Sequence, residues 1–190
     1  TTDSRATQKL YKEKFDLDFE YLPSPLDTQK FSNISDVTKI ENQVAYVGRD
    51  SYEKGIDILK QAESKINGHV IYCTDRSWDD AMKIIKSSQV VVVPSRMESL
   101  PTTVKEAFYL NVPVVATNVG GIPELISDND TGLLVPPENP EKIADAVNDL
   151  LSNPEKAEKL VINGNNFVKK NMTWDVVLPK FIQFYEDLLK

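Results

Sequence analysis

The sequence predicts an α/β fold in which a mostly parallel sheet is covered by helices on both faces. Short apolar runs of strand length alternate with amphipathic helical segments along the chain, and this alternation is typical of sheets built from strand–helix–strand units. The clearest unit is residues 90–119, where four consecutive valines end at Pro94 and a second apolar strand follows Pro113. Its crossover is expected to be right-handed.

Six segments are predicted as strands because they are short, apolar and bounded by turn-forming residues. In chain order they are residues 19–22, 44–47, 70–73, 90–93, 114–116 and 133–135. The run of valines at 90–93 has no polar alternation, which indicates a strand buried on both faces of the sheet.

The helices are predicted from apolar residues at helical spacing and from recognisable start and stop signals. They cover residues 4–14, 56–66, 75–87, a segment starting near Pro101, a short turn ending near 126, then 139–151, 153–170 and 174–189. Pro101 suits the first helical turn, where the missing amide costs nothing. Pro179 is expected to interrupt the last helix or to start it afresh. Residues 26–42 are predicted as a polar loop anchored by Leu26 and Phe31.

Length and composition limit the classes of protein. The chain has 190 residues, 41% of them hydrophobic, which fits one domain with a substantial core. A net charge of -7 argues against nucleic acid as a partner. The single cysteine, Cys73, and the lack of a signal peptide or membrane-length apolar run favour a cytoplasmic location, with peripheral attachment at the cytoplasmic membrane face left open. The first residue, Thr1, is not methionine, so we expect a fragment of a longer protein.

Polar and charged residues follow three of the predicted strands at the point where each strand ends. Gly48, Arg49 and Lys54 follow the strand at 44–47, Glu98 follows 90–93, and the glycine pair 120–121 follows the next strand. Because the carboxyl ends of parallel strands meet at one edge of a sheet, we expect these loops to lie together.

This edge has the chemistry of a diphosphate site. Arg49 offers a planar fork of donors and Lys54 a mobile positive charge. The amides of Leu100, Thr102 and Thr103 lie in or next to the first turn of the Pro101 helix, lack helical partners there, and attract an anion.

Two carboxylates near this edge, Glu98 and Glu106, suit a different part of the ligand. Ionised carboxylates only accept hydrogen bonds, so they match the hydroxyls of a sugar. A diphosphate flanked by hydroxyl-rich groups describes a nucleotide sugar. Taken one at a time, these residues have ordinary structural explanations, and Glu106 alone is expected to be a solvated helix residue paired with Lys105 or Lys86.

Four blocks, residues 21–31, 46–55, 98–106 and 114–135, resemble the motifs of retaining glycosyltransferases of family 4, or glycosyl transferases group 1. That family has the GT-B architecture of two facing Rossmann-like domains. The resemblance covers most of residues 20–150, with the blocks in the family's order. It implies a Rossmann-like three-layer α/β/α sandwich that forms the C-terminal, donor-binding half of such an enzyme.

The resemblance also implies a division of the chain. Residues 1–18 would be an N-terminal helical segment, and residues 19–172 the nucleotide-sugar-binding domain. Residues 173–190 would form a helix that crosses to an N-terminal domain absent from this sequence. Phe181 and Phe184 are expected to be exposed on that helix, as part of the interface with the absent domain.

The resemblance assigns roles to the site residues. Arg49 and Lys54 would hold the donor diphosphate, Glu98 would contact the donor sugar and Glu106 the ribose, with Arg49, Lys54 and Glu98 as the catalytic set. The remaining substrate-binding positions would be Gly48, Leu100, Pro101, Thr102 and Thr103. The reaction would be the retaining transfer of a hexose to a glycan or lipid-linked sugar acceptor held by the absent domain. No cofactor beyond the donor and no protein-bound metal are expected, and the isolated chain should bind donor weakly and catalyse little.

The sequence departs from the family between residues 55 and 89, where one strand–helix unit stands in place of the usual two. The missing unit normally helps to form the base pocket, so the identity of the nucleotide is left open. The only histidine, His69, precedes a strand and is expected to lie away from the predicted edge, so it is no substitute for the histidine that the family's N-terminal domain places near the reaction centre.

Two other functions compete with a glycosyltransferase. The shortened middle favours a non-catalytic nucleotide-sugar-binding or interaction module of the same fold. The two are distinguished by whether Arg49, Lys54, Glu98 and Glu106 converge. A dinucleotide-dependent oxidoreductase is disfavoured because no Gly-x-Gly-x-x-Gly motif follows a predicted strand.

Overall fold

A computed structural model describes the whole chain, Thr1 to Lys190, and centres on one sheet of five parallel strands. The strands are β1 (Gln43–Val47), β2 (His69–Cys73), β3 (Val90–Val93), β4 (Val114–Thr117) and β5 (Leu133–Val135). Their order across the sheet is β2-β1-β3-β4-β5. The prediction of a Rossmann-like α/β fold is therefore confirmed.

The helices follow the predicted segments closely. They are α1 (Arg5–Phe15), α2 (Ile56–Ala62), α3 (Trp78–Ser87), α4 (Thr102–Tyr109), α5 (Ile122–Leu125), α6 (Pro140–Ser152), α7 (Pro154–Asn171) and α8 (Trp174–Leu188). Helix α8 continues through Pro179, so the interruption predicted there is wrong. A proline removes one intrahelical hydrogen bond, and this helix tolerates that loss.

Two apolar cores lie on opposite faces of the sheet, as the alternation of side chains along a strand requires. In β3, Val91 and Val93 pack into the core that contains α3, α4 and α5. Val90 and Val92 pack into the core formed with α2 and α6. The central strand is thus buried on both faces, as four consecutive valines predict.

The strand predicted at residues 19–22 does not join the sheet, and that prediction is wrong. Tyr21 forms only an isolated bridge with Thr2. The amide of Thr2 donates to the carbonyl of Glu20, and the amide of Leu22 donates to the carbonyl of Thr2. The segment satisfies its backbone groups on the N-terminal residues instead of on a sheet edge.

Strand β2 is an outer strand of the sheet, paired only with β1. The short stretch between residues 55 and 89 supplies only this one strand, where the resemblance implies two. His69 is the first residue of β2 and is exposed. It therefore lies at the amino end of the strand, away from the loops that carry the candidate site.

Helix α8 exposes a different set of apolar side chains from the one predicted. Phe181 and Phe184 are half-buried, and each borders a surface cavity that residues 19–22 also line. The exposed apolar residues along the helix are Trp174, Leu178, Ile182, Tyr185 and Leu188. None of the eight helices combines the length and the apolar composition that crossing a lipid bilayer requires.

Candidate functional site

Glycines allow the loops at the carboxyl edge of the sheet to stack on one another. Gly55 has a φ of +63°, and a Cβ there would lie 2.1 Å from the carbonyl oxygen of Pro94, which ends β3. Gly120 has a φ of +52°, and its Cβ would lie 1.8 Å from the carbonyl oxygen of Glu98. Only glycine fits such close backbone contacts in a left-handed conformation. The loops after β1, β3 and β4 are therefore in direct contact.

Lys54 and Glu98 meet at this edge. The Lys54 Nζ atom lies 2.7 Å from Glu98 Oε1, with side-chain exposures of 26% and 8%. Ser95 Oγ also donates to Glu98 Oε1, at 2.8 Å. Oε2 of Glu98 has no hydrogen-bond partner within the chain. A nearly buried carboxylate thus has one oxygen fixed by two donors and the other available to a ligand.

Arg49 lies on the same edge, but its side chain is not paired with another residue. It is exposed, and its guanidinium forms no ion pair with the chain, while its carbonyl accepts a 2.6 Å hydrogen bond from the Tyr46 hydroxyl. Burial raises the pKa of Tyr46, and the charges of Asp50 and Glu98 raise that pKa further. The Arg49 charge opposes them. Arg49 and Glu98 are therefore both within electrostatic range of one hydroxyl group.

The amino end of α4 is open. Pro101 precedes the helix and provides no side-chain cap. The amides of Leu100, Thr102 and Thr103 donate no hydrogen bond within the chain, while Thr103 Oγ1 contacts the Val47 carbonyl at 3.4 Å. Unpaired amides at a helix start favour a bound anion. The helix begins four residues after Glu98, so its start lies close along the chain to the Lys54–Glu98 pair.

Glu106 is half-buried on α4, not solvated, and it does not pair with the lysines predicted for it. Trp78 Nε1 donates to Glu106 Oε1 at 2.9 Å. Burial raises the pKa of the Glu106 carboxyl, and the Trp78 hydrogen bond opposes that rise. Lys86 instead binds Asp36 at 2.8 Å. Glu106 Oε2 has no partner within the chain, so it can accept from a ligand hydroxyl.

Lys105 is fully buried and anchors a different segment. Its Nζ atom donates to the carbonyl and the hydroxyl of Ser24, at 2.7 and 2.8 Å. Burial lowers its pKa from 10.5 to about 8, because an apolar environment disfavours the ammonium form. Lys105 therefore links α4 to the segment of residues 21–31. Its ammonium group is not available to a ligand at the carboxyl edge of the sheet.

This buried lysine should make the free energy of unfolding depend on pH. Between pH 8 and 10.5 the unfolded chain retains a proton on Lys105 that the native chain has released, so its contribution to stability rises with pH. We expect the free energy of unfolding of the native sequence, relative to that of Lys105→Met, to increase across this window by at most about 3 kcal/mol. Denaturant titrations at several pH values measure it. Parallel curves of unfolding free energy against pH for the two proteins would contradict the prediction. Lys39, whose pKa is also lowered to about 8, is present in both proteins, so it does not account for a difference between them.

The N-terminal segment packs on the same edge. The Glu124 carboxylate, next to the glycine pair, accepts hydrogen bonds from the amides of Arg5 and Ala6 at 3.0 and 2.9 Å. The hydroxyls of Ser4 and Ser99 are 3.1 Å apart. A carboxylate at the amino end of α1 is stabilised by the helix dipole. The N-terminal segment therefore packs against the loop that carries Glu98 and Ser99.

Ser95 and Trp78 contribute to the site, although neither is among the site residues predicted from the sequence. Ser95 lies two residues after β3 and three residues before Glu98, and a hydroxyl at that spacing is the one signal that could have indicated it. Trp78 contacts Phe31 of the core, with ring centroids 5.0 Å apart. Its indole N–H points to Glu106, which no local pattern predicts.

Comparison with known proteins identifies the class. Residues 60–167, more than half of the chain, match the family described as Glycosyl transferases group 1. The chain therefore belongs to this family of glycosyltransferases.

Individual relatives agree with this assignment. An uncharacterized glycosyltransferase of Methanocaldococcus jannaschii is 30% identical over 175 residues, which cover 77% of this chain and 45% of that protein. A D-inositol 3-phosphate glycosyltransferase of Paenarthrobacter aurescens is 49% identical over 55 residues, covering 29% of this chain and 14% of that protein. The chain spans less than half the length of these curated relatives.

Solved structures share the fold. Sucrose-phosphate synthase of Thermosynechococcus elongatus superposes with a TM-score of 0.85 at 22% identity, covering 99% of this chain and 57% of that one. HepE of Anabaena, in complex with UDP-glucose, superposes with a TM-score of 0.82 at 15% identity, covering 98% and 63%.

Proposed function

We propose that this chain is the donor-binding, C-terminal half of a retaining GT-B glycosyltransferase of family 4. In the complete protein it would bind a nucleoside-diphosphate hexose and transfer the hexose to an acceptor, a glycan or lipid-linked sugar, held by an N-terminal domain. The proposal rests on one observation: Lys54 and Glu98 meet at 2.7 Å beside the open amino end of α4.

The Lys54–Glu98 contact leaves capacity for a phosphate. An ammonium group has three donors, and Glu98 takes one of those of Lys54. The remaining donors, the free guanidinium of Arg49 and the open amides of α4 would bind the diphosphate. As the bond to the sugar breaks, negative charge grows on the leaving diphosphate, and these fixed donors stabilise it.

The two carboxylates would orient the hydroxyl-rich parts of the donor. Glu98 Oε2 would accept from a hydroxyl of the transferred sugar, and Glu106 Oε2 from the ribose. Both carboxylates have their other oxygen fixed by the chain, Glu98 by Lys54 and Ser95 and Glu106 by Trp78. Such preorganisation lowers the cost of orienting a ligand. The binding of UDP-glucose by HepE supports a nucleotide-sugar donor.

Calorimetric titration with UDP, GDP and ADP tests the proposal and identifies the base. We expect one of them to bind, and Arg49→Ala to weaken that binding by about ten-fold or more, since a hydrogen bond to a charged group is worth ~1.5–3 kcal/mol. Lys159→Ala is the control, because Lys159 is an exposed lysine of α7 that forms no ion pair. Its affinity should equal that of the native chain.

No heat with any of the three nucleotides at millimolar concentration would contradict the donor site. Of the alternatives, a non-catalytic interaction module of the same fold would then be favoured. That alternative has one observation in its support, the sheet that ends at β2 where a further strand–helix unit is expected in the family.

A further inference from the structure

Arg96 follows β3 and lies under the loop that carries Lys54. Its side chain is only 10% exposed. The guanidinium stacks on the ring of Tyr52, 4.1 Å from the ring centroid, and Nη1 donates to the Tyr52 carbonyl at 2.7 Å. The Arg96 amide also donates to the carbonyl of Glu53, at 2.8 Å. Arg96 therefore contacts the short turn Tyr52–Lys54 at three points: the ring of Tyr52, the carbonyl of Tyr52 and the carbonyl of Glu53.

The same guanidinium joins two further elements of the fold. It binds both oxygens of Asp57, in the first turn of α2, at 2.7 Å each. It also binds both oxygens of Glu138, in the loop between β5 and α6, one of them at 3.2 Å from Nη2. The loops that follow β1, β3 and β5 are thus fixed to one cation.

Every donor of Arg96 is used in these contacts. A guanidinium has five N–H donors in a planar fork, and the five bonds go to Tyr52, twice to Asp57 and twice to Glu138. None is left for a phosphate. The role of Arg96 is therefore to position other residues, and a lysine, with a point charge and no planar fork, could not reproduce it.

Backbone strain at Glu138 also supports a positioning role for Arg96. The φ of Glu138 is +57°, a left-handed conformation that is unfavourable for a residue with a side chain. Such a conformation persists where surrounding contacts fix it. The side chain of Glu138 is held by Arg96, so the contact with Arg96 is one of the contacts that fix this conformation.

We propose that Arg96 is a positioning residue for Lys54, an inference that rests on the proposed donor site. Lys54 ends the turn that Arg96 holds from one side, and Asp57 fixes the start of α2 on the other side of Gly55. Lys54 reaches Glu98 from this turn. The clamp of Arg96 with Tyr52, Asp57 and Glu138 sets where the ammonium group stands at the edge of the sheet.

Amide hydrogen exchange tests the clamp without any ligand. The amides of Lys54 and Gly55 donate to the carbonyls of Ser51 and Tyr52, so they report the closure of the turn. We expect Arg96→Lys to accelerate their exchange by about ten-fold or more, and Glu138→Gln, which leaves Asp57 in place, to accelerate it less. Lys156→Gln, which breaks an ion pair with Asp149 on α6 and α7, is the control and should leave these two amides unchanged. Unchanged exchange in Arg96→Lys would overturn the proposal, even if the variant is less stable overall.

Binding of UDP, GDP or ADP tests whether the clamp acts through Lys54. We expect Arg96→Lys to weaken nucleotide binding several-fold in the native background and to have no further effect in Lys54→Met. An equal loss in both backgrounds would overturn positioning through Lys54. Failure of the native chain to bind any nucleotide would instead reject the proposed function, while the exchange experiment would still decide whether Arg96 holds the turn.

Discussion

Gly120→Ala is expected to destabilise the chain more than any other single methyl addition at the edge of the sheet. The new Cβ would lie 1.8 Å from the Glu98 carbonyl oxygen and 2.9 Å from its carbonyl carbon, both backbone atoms. The φ of +52° adds a further penalty for a residue with a side chain. Together the left-handed conformation and the overlap should lower the free energy of unfolding by about 2–5 kcal/mol.

Thermal and chemical unfolding measure this effect. For a chain of this length we expect a fall in Tm of about 10 °C. Gly48→Ala is the matched control, because its Cβ would lie 3.2 Å from a side-chain atom, the Tyr46 hydroxyl, and Gly48 does not have a positive φ. A loss of stability in Gly48→Ala as large as in Gly120→Ala would show that the contact between Gly120 and Glu98 is not the cause.

Lys54→Met is expected to have two separate effects, one on stability and one on ligand binding. It leaves the Glu98 carboxylate, only 8% exposed, without its counter-charge. Leaving such a group without its charged partner should lower the free energy of unfolding by about 1–3 kcal/mol. If the donor site is as proposed, it should also weaken nucleotide binding by more than ten-fold, because the cation facing the diphosphate is lost.

A double variant separates the two effects. Adding Glu98→Gln to Lys54→Met removes the unpaired charge and keeps the shape of the side chain, so most of the stability should return. Nucleotide binding should not return, because Lys54 is still absent. Recovery of binding in the double variant would mean that Lys54 only neutralises Glu98, and the role of Lys54 in holding the diphosphate would have to be abandoned.

The strands and helices were largely predictable because their signals are local. The valine run of β3, the proline before α4, and the Asn–Pro starts of α6 and α7 each act within a few residues. The segment 19–22 was wrongly predicted as a strand of the sheet because an apolar stretch reports that a residue is buried, not which edge it pairs with. Its partner, Thr2, lies in the N-terminal segment.

Only the approximate location of the candidate site, not its side-chain contacts, could be predicted from the sequence. The rule that parallel strands end at one edge placed Lys54 and Glu98 on the same side of the sheet, and they do meet. The same rule gave no partner within the chain for Glu106, which was predicted to contact the ribose and is held by Trp78 from another helix. It gave no role to Arg96 either, because the acids that bind Arg96 are 39 and 42 positions away in the sequence.

Local sequence signals were enough to predict the parallel sheet, the order of its strand–helix units and the edge at which charged and glycine residues gather. These follow from short-range preferences for burial, turn and helix end. Tertiary structure decided which side chains touch: the pairing of Lys54 with Glu98, the five bonds of Arg96 and the burial of Lys105 against Ser24. Such contacts depend on how closely loop backbones approach, as at Gly55 and Gly120, and that distance is fixed by the packing of the whole sheet.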